Sequence, residues 1–263
     1  MSSMTRFLDS SVGKKVLMSL TGLFLCTFLI VHATGNLQLF KQDQGLAFNQ
    51  YSVFMTTFPV IKIVSYLLYA TIILHVINGI RLALQNKAAR PVPYGAPKMP
   101  GSSSWASSNM MVLGIIILVF LITHMSNFWY KYKFGDVAWV EYTVSEMSGE
   151  VITKNTMPST PGLKTHEYVV NDGISGPVRH VVIRDLYAVV EQAFQQTWIV
   201  VLYLLGLMAL AYHLLHGFQS SFQTLGLRHP SVAGLIRGVG VWVFGIIIPL
   251  LFASMPVYFF FFS

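Results

Sequence analysis

Apolar residues in this chain gather in five long runs, about 16–35, 61–84, 110–130, 197–220 and 235–259. A helix needs roughly 20 mainly apolar residues to cross a bilayer, and each run supplies about that many. None of the runs contains Asp or Glu. Lys62 and Arg81 fall near run ends, where a long side chain can reach the interface. The pattern predicts an all-α membrane protein: a five-transmembrane-helix bundle forming one anchor domain over residues 1–263.

The segments between the runs carry the stop and start signals. Asp9, Ser10 or Ser11 is expected to cap the first helix, Gly35 and Asn36 to end it, and Pro59 to open the second. Residues 36–60 read as a loop, polar and then aromatic. Pro91, Pro93, Pro97 and Pro100 predict a stiff, non-helical connector. Trp129 and Tyr130 read as an interfacial aromatic belt. Residues 131–196 are the one long excursion. Short strands are expected near 137–144 and 168–170, and an amphipathic surface helix over 184–196. Pro249 lies inside the fifth run, where a membrane helix tolerates it.

Composition agrees with this pattern. Hydrophobic residues make up 54% of the chain and charged residues 10%, against about 25% charged in soluble domains. The net charge of +7 could point to nucleic acid, but its distribution does not. With the N-terminus inside, the inner segments hold Arg6, Lys14, Lys15, Arg81, Lys87, Arg90, Lys98, Arg228 and Arg237, opposed only by Asp9. That asymmetry places the N-terminus in the cytoplasm and the C-terminus outside. The first run lacks a small-residue cleavage pattern after it, so it reads as a span and not a signal peptide. Cys26 is the single cysteine and can form neither an intrachain disulfide nor a thiolate cluster.

The chemistry lies in the histidines. His32, His75 and His124 each sit in an apolar run, and His213 and His216 share the fourth. An imidazole at lipid depth is costly without a partner. With a rise of about 1.5 Å per residue, His32 and His124 lie roughly 25 Å from the inner surface, and His75 lies about 9 Å from it. His213 and His216 also fall toward the inner end of their run. The histidines therefore form two layers, His32 with His124 and His75 with His213 or His216. One imidazole from each of two helices at one depth is what a bis-histidine heme needs. With both axial positions filled, such a heme carries electrons and does not bind oxygen.

The glycine spacing favours His213 as the inner partner. His75-x-x-x-Gly79 and His213-x-x-x-Gly217 place glycine on the imidazole's helix face, clearing space for a porphyrin edge. His216, a turn further in, keeps a supporting role. His166, His180 and His229 read as solvated surface. No carboxylate or thiolate shares the two layers, which disfavours a zinc or iron transport site.

The ordered set of motifs resembles the diheme cytochrome b membrane-anchor subunit of succinate:quinone oxidoreductases (succinate dehydrogenase and fumarate reductase), in its single-subunit five-helix branch. The matching residues are Ser19-Leu-Thr-Gly-Leu-Phe24 with His32, His75-x-x-x-Gly79-Ile-Arg81, His124-Met-Ser-Asn-Phe-Trp129, and His213-Leu-Leu-His-Gly-Phe218 with its continuation to Gly226. They span most of the chain outside 131–183.

The resemblance implies two b-type hemes. The His75/His213 heme would lie nearer a cytoplasmic iron–sulfur subunit, which docks with a flavoprotein carrying FAD; the His32/His124 heme would be distal. It places Ser19 and Arg81 near the propionates of the nearer heme. It also implies a quinone, menaquinone being the expected species, and a bacterial cytoplasmic membrane. Dicarboxylate chemistry would belong to the flavoprotein, making this chain a redox subunit and not a whole enzyme. One departure is that the spans lack the carboxylates some family members use for protons, and the residue two before His213 is Ala211. Asn49, Gln50, Tyr51 and Lys62 are candidates for a quinone pocket. The competing readings are a cytochrome b of another respiratory complex, such as a hydrogenase, and a heme-free transporter. A bc-type cytochrome pairs its ligands on two helices, whereas here four helices supply one each.

Overall fold

A computed structural model describes residues 6–7, 9–89, 105–173 and 176–263. Five helical stretches in it are long and apolar enough to cross a membrane: Ser11–Phe40, Pro59–Ala88, Met110–Phe134, Thr197–Thr224 and Pro230–Phe262. Each is longer than its apolar run, because the helix continues through the polar flanks once begun. The proline-rich connector expected at 91–101 lies outside the described residues.

Helix α1 (Ser11–Asn36) starts where the serine allows. The Gly13 N–H donates to Ser10 Oγ at 3.0 Å, filling one of the donors a helix start leaves open. A short 3-10 turn, Leu37–Phe40, follows. The stretch expected as a loop before the second span instead holds helix α2 (Leu46–Thr57). Gly45 precedes it at φ 91°, a left-handed conformation that suits glycine. Helix α3 (Pro59–Ala88) opens on the expected proline, with Phe58 extended before it.

Helices α4 (Trp105–Ser108) and α5 (Met110–His124) follow. At Met125–Tyr130 the third span widens into a π-helical turn before closing as α6 (Lys131–Phe134).

The excursion is a four-stranded sheet and one helix. Strands β1 (Trp139–Ser145), β2 (Val151–Met157), β3 (His166–Asp172) and β4 (Gly176–Arg184) pair antiparallel in the order β2-β1-β4-β3. The all-helical expectation therefore holds for the spans and not for this segment. One sheet face is covered. Val140, Tyr142, Val144, Val181 and Ile183 form a core with Leu46 of α2. That is why β1 alternates between apolar and polar positions. The surface helix is α7 (Leu186–Phe194), capped by Asp185, whose Oδ1 accepts from the Ala188 N–H at 3.1 Å.

The fourth span is α8 (Thr197–Thr224). The fifth comprises α9 (Pro230–Gly238), a second π-helical segment at Val239–Ile247, and α10 (Ile248–Phe262). The wide segment ends two residues before Pro249, whose missing N–H and ring bulk disturb an ordinary helical turn.

Contacts divide the chain into two compact units: 1–31, 63–120 and 202–254 in the first, and 32–62, 121–201 and 255–263 in the second.

Candidate functional site

In the first unit, α3 carries His75 and α8 carries His213. Their ring centres lie 6.2 Å apart with planes at 64°. Two polar links tie α3 to α1. Asn78, one turn past His75 and buried, donates from Nδ2 to the Lys14 carbonyl at 2.7 Å. Thr21 Oγ1 lies 3.0 Å from His75 Nδ1. Gly22 faces this contact, and a Cβ on it would meet the His75 ring at 3.5 Å and Ser221 Oγ of α8 at 3.7 Å, both ordinary contact distances. The Nδ1 atom of His213 is buried and has no hydrogen-bond partner among the described residues.

The two sequence-marked glycines differ. A Cβ at Gly79 would press on Met18 Cε at 3.2 Å, whereas at Gly217 it would meet only His213 Cδ2, at 4.0 Å. Space beside the imidazole is therefore open at Gly217 and filled by Met18 at Gly79. His216 is half-buried on the same helix as His213. Ser19 is buried, and its hydroxyl donates to the Lys15 carbonyl at 3.0 Å within its own helix. Arg81 is exposed.

In the second unit, His32 of α1 and His124 at the end of α5 have ring centres 5.8 Å apart and planes at 85°. The π-helical turn begins at the next residue. It carries Phe128, whose ring packs edge-on to His124 at 5.3 Å and against Phe194 of α7 at 5.7 Å. The Asn127 Nδ2 atom in the same turn is buried with no hydrogen-bond partner among the described residues. The hydroxyl-bearing end of Tyr51 packs where a side chain on Gly35, three residues past His32, would otherwise sit. Burial holds the Tyr51 phenol above its ordinary value.

The remaining candidates scatter. Asn49 is fully buried in a structural network. Its Nδ2 donates to Asp185 Oδ1 at 2.9 Å and Tyr142 Oη at 3.2 Å, and its Oδ1 accepts from the Tyr187 N–H at 2.9 Å. Lys154 Nζ closes that network on Asp185 Oδ2 at 3.2 Å. Gln50 bonds Glu167 at 3.4 Å, and Lys62 is exposed. His180 stacks on Tyr168 at 4.7 Å and bonds Glu141 at 3.1 Å; His166 stacks on the same tyrosine at 6.1 Å. His229 caps α9 through Ser231. Cys26 is buried and free.

A metal ion bound by two imidazoles, at about 2 Å to each nitrogen and roughly 1 Å more to each ring centre, sets those centres about 6 Å apart. Both pairs have that spacing. Their tilted planes suit it too, since each ring plane can contain the nitrogen–metal axis without stacking on the other. Two ligands do not complete a metal's coordination. Among the described residues no group of three or more His, Cys, Asp or Glu side chains could hold a metal ion. An ion at either pair needs its other positions filled by a group that the described His, Cys, Asp and Glu side chains do not supply. Sequence reasoning missed Thr21 and Asn78; the signal for both was a polar side chain inside an apolar run.

No protein-family model, curated protein or solved structure matches this chain.

Proposed function

We propose that this chain is the membrane-anchoring, electron-transferring subunit of a succinate:quinone oxidoreductase. In this reading, His75 with His213 and His32 with His124 hold two b-type hemes. The observation that carries it is the pair of ring separations, 6.2 and 5.8 Å, each between imidazoles on different span helices. A tetrapyrrole would supply the further nitrogen ligands that a two-histidine site lacks. The open side of Gly217 and the unpartnered Nδ1 of His213 support the fit.

A bis-histidine heme supplies one-electron chemistry with no coordination position open to oxygen. The chain's own residues do the rest. The histidines fix each group on two helices at once. Apolar walls such as Phe128 and Phe194 exclude water from the second pair. The absence of Asp and Glu in the apolar runs leaves no carboxylate there to carry protons.

The resemblance supplies the setting. An iron–sulfur subunit and an FAD flavoprotein would dock on the cytoplasmic side, quinone would be the membrane partner, and the membrane would be a bacterial cytoplasmic one. Ser19 and Arg81 would lie toward the propionates of the His75/His213 heme, with His216 beside it. Ser19 would have to give up its bond to Lys15 to reach one.

The test is a reduced-minus-oxidised spectrum of the purified full-length chain, with heme counted per polypeptide. Two b-type hemes are expected. His75→Ala or His213→Ala should remove one, and His32→Ala or His124→Ala the other. His216→Ala should retain both. A chain without b-type bands would sink the heme assignment. A heme-loaded chain that purifies with neither a flavoprotein nor an iron–sulfur protein would point to another respiratory complex.

A further inference from the structure

The Thr21 hydroxyl lies 2.8 Å from the Leu17 carbonyl, 3.1 Å from the Met18 carbonyl and 3.0 Å from His75 Nδ1. A hydroxyl has one hydrogen, and carbonyl oxygens only accept. Both carbonyls belong to Thr21's own helix turn, the usual target of a mid-helix threonine. With the hydrogen spent on either carbonyl, the oxygen accepts toward His75, and the imidazole then carries its proton on Nδ1, which leaves the Nε2 lone pair outside this bond. No equivalent bond reaches Nδ1 of His213, so one imidazole of the pair is fixed by a hydroxyl and the other is not.

We infer that Thr21 is a positioning residue for this centre, holding His75 in the Nδ1–H tautomer so that Nε2 faces the metal as a ligand. The inference rests on the heme reading above. A ligand imidazole that donates its other N–H becomes more basic, and a more basic ligand favours the oxidised metal. Thr21 therefore lowers the reduction potential of the His75/His213 heme. Burial of Thr21 keeps water from replacing the hydroxyl. Its threonine methyl is dispensable to this role; its oxygen is not.

The test is a potentiometric titration of the purified full-length chain as wild type, Thr21→Val and Thr21→Ser, following the b-type bands. Valine keeps the shape and removes the acceptor. It should move one heme to a more positive potential and leave the other unchanged, and serine should restore the wild-type value. Loss of one heme in Thr21→Val with both retained in Thr21→Ser supports the same role. Unmoved potentials in Thr21→Val would overturn it. So would a shift of both hemes, or a serine variant as perturbed as valine, since either means packing and not the hydrogen bond. A wild-type chain with no heme at all would remove the underlying reading; a wild-type chain with two hemes and an unresponsive Thr21→Val would remove only this one.

Discussion

Single side chains in this protein divide into those that close space and those that leave it open, and substitution should separate them. A Cβ on Gly206 would sit 2.6 Å from Phe120 Cγ. Gly206→Ala should therefore overpack the contact and cost about 1–3 kcal/mol, read as a lower melting temperature in detergent. A Cβ on Gly217 would meet only His213 Cδ2, at 4.0 Å, so on the heme reading Gly217→Leu should leave the chain folded while removing one of two hemes from the spectrum. A Gly217→Leu protein with both hemes intact would mean the macrocycle does not use that space. Asn49 is the opposite case, a buried amide whose side chain bonds the sheet, α7 and the cap of α7. Asn49→Ala leaves Asp185 and the Tyr187 N–H short of a partner and should cost about 3 kcal/mol. Trp139, buried in β1, is a fluorescent reporter for that loss.

At the scale of elements, the sheet and the helix that follows it carry an alkaline pH dependence. Burial, with the Asp185 charge second, pushes the Tyr142 phenol above its ordinary value. Burial, with Glu191 second, pushes Tyr187 up to about 12. Both folded values exceed the unfolded value of 10. The stability they contribute is therefore complete below pH 10 and is lost as pH rises through the folded values. An alkaline titration should show late tyrosinate absorbance appearing together with loss of the sheet's circular dichroism. If every tyrosine ionises near pH 10 with the sheet intact, the buried network is not closed as described.

The spans were legible in the sequence because a run of about 20 apolar residues has few other uses. The expected strand near 137–144 was legible because Val140, Tyr142 and Val144 alternate. Strand β2 was not, because it is mostly exposed and neither face imposes an alternation. Helix α2 was read as loop because its buried residues, Leu46, Phe48, Asn49 and Ser52, mix polar with apolar. The π-helical turns have no signature in hydrophobic pattern. The one after His124 should be sensitive to length. Deleting one residue from 125–130 would let an ordinary helical turn form in its place, and five residues at about 100° each turn through nearly the same angle as six in the wider turn, so circular dichroism should show the helix retained and the His32/His124 pair should still form.

For the whole molecule, the five spans and the two histidine pairs bear on one property: proximity across long stretches of sequence. Depth arithmetic anticipated that His32 would meet His124 and that His75 would meet His213 or His216, since a helix of known rise converts residue number into distance, and the glycine spacing chose His213. It could not anticipate Thr21, which depends on how two helices are rotated about their own axes. The ligands also alternate along the chain, with span one pairing with span three and span two with span four. That order is a schedule. His32 cannot meet His124 until the ribosome has passed residue 124, and His75 cannot meet His213 until it has passed residue 213. At a synthesis rate of about 5–20 residues per second, the second pair is completed about 4–18 s after the first. On the heme reading, a nascent chain thus passes through a stage with one pair complete and His75 awaiting its partner, so loading would have a built-in sequence in time.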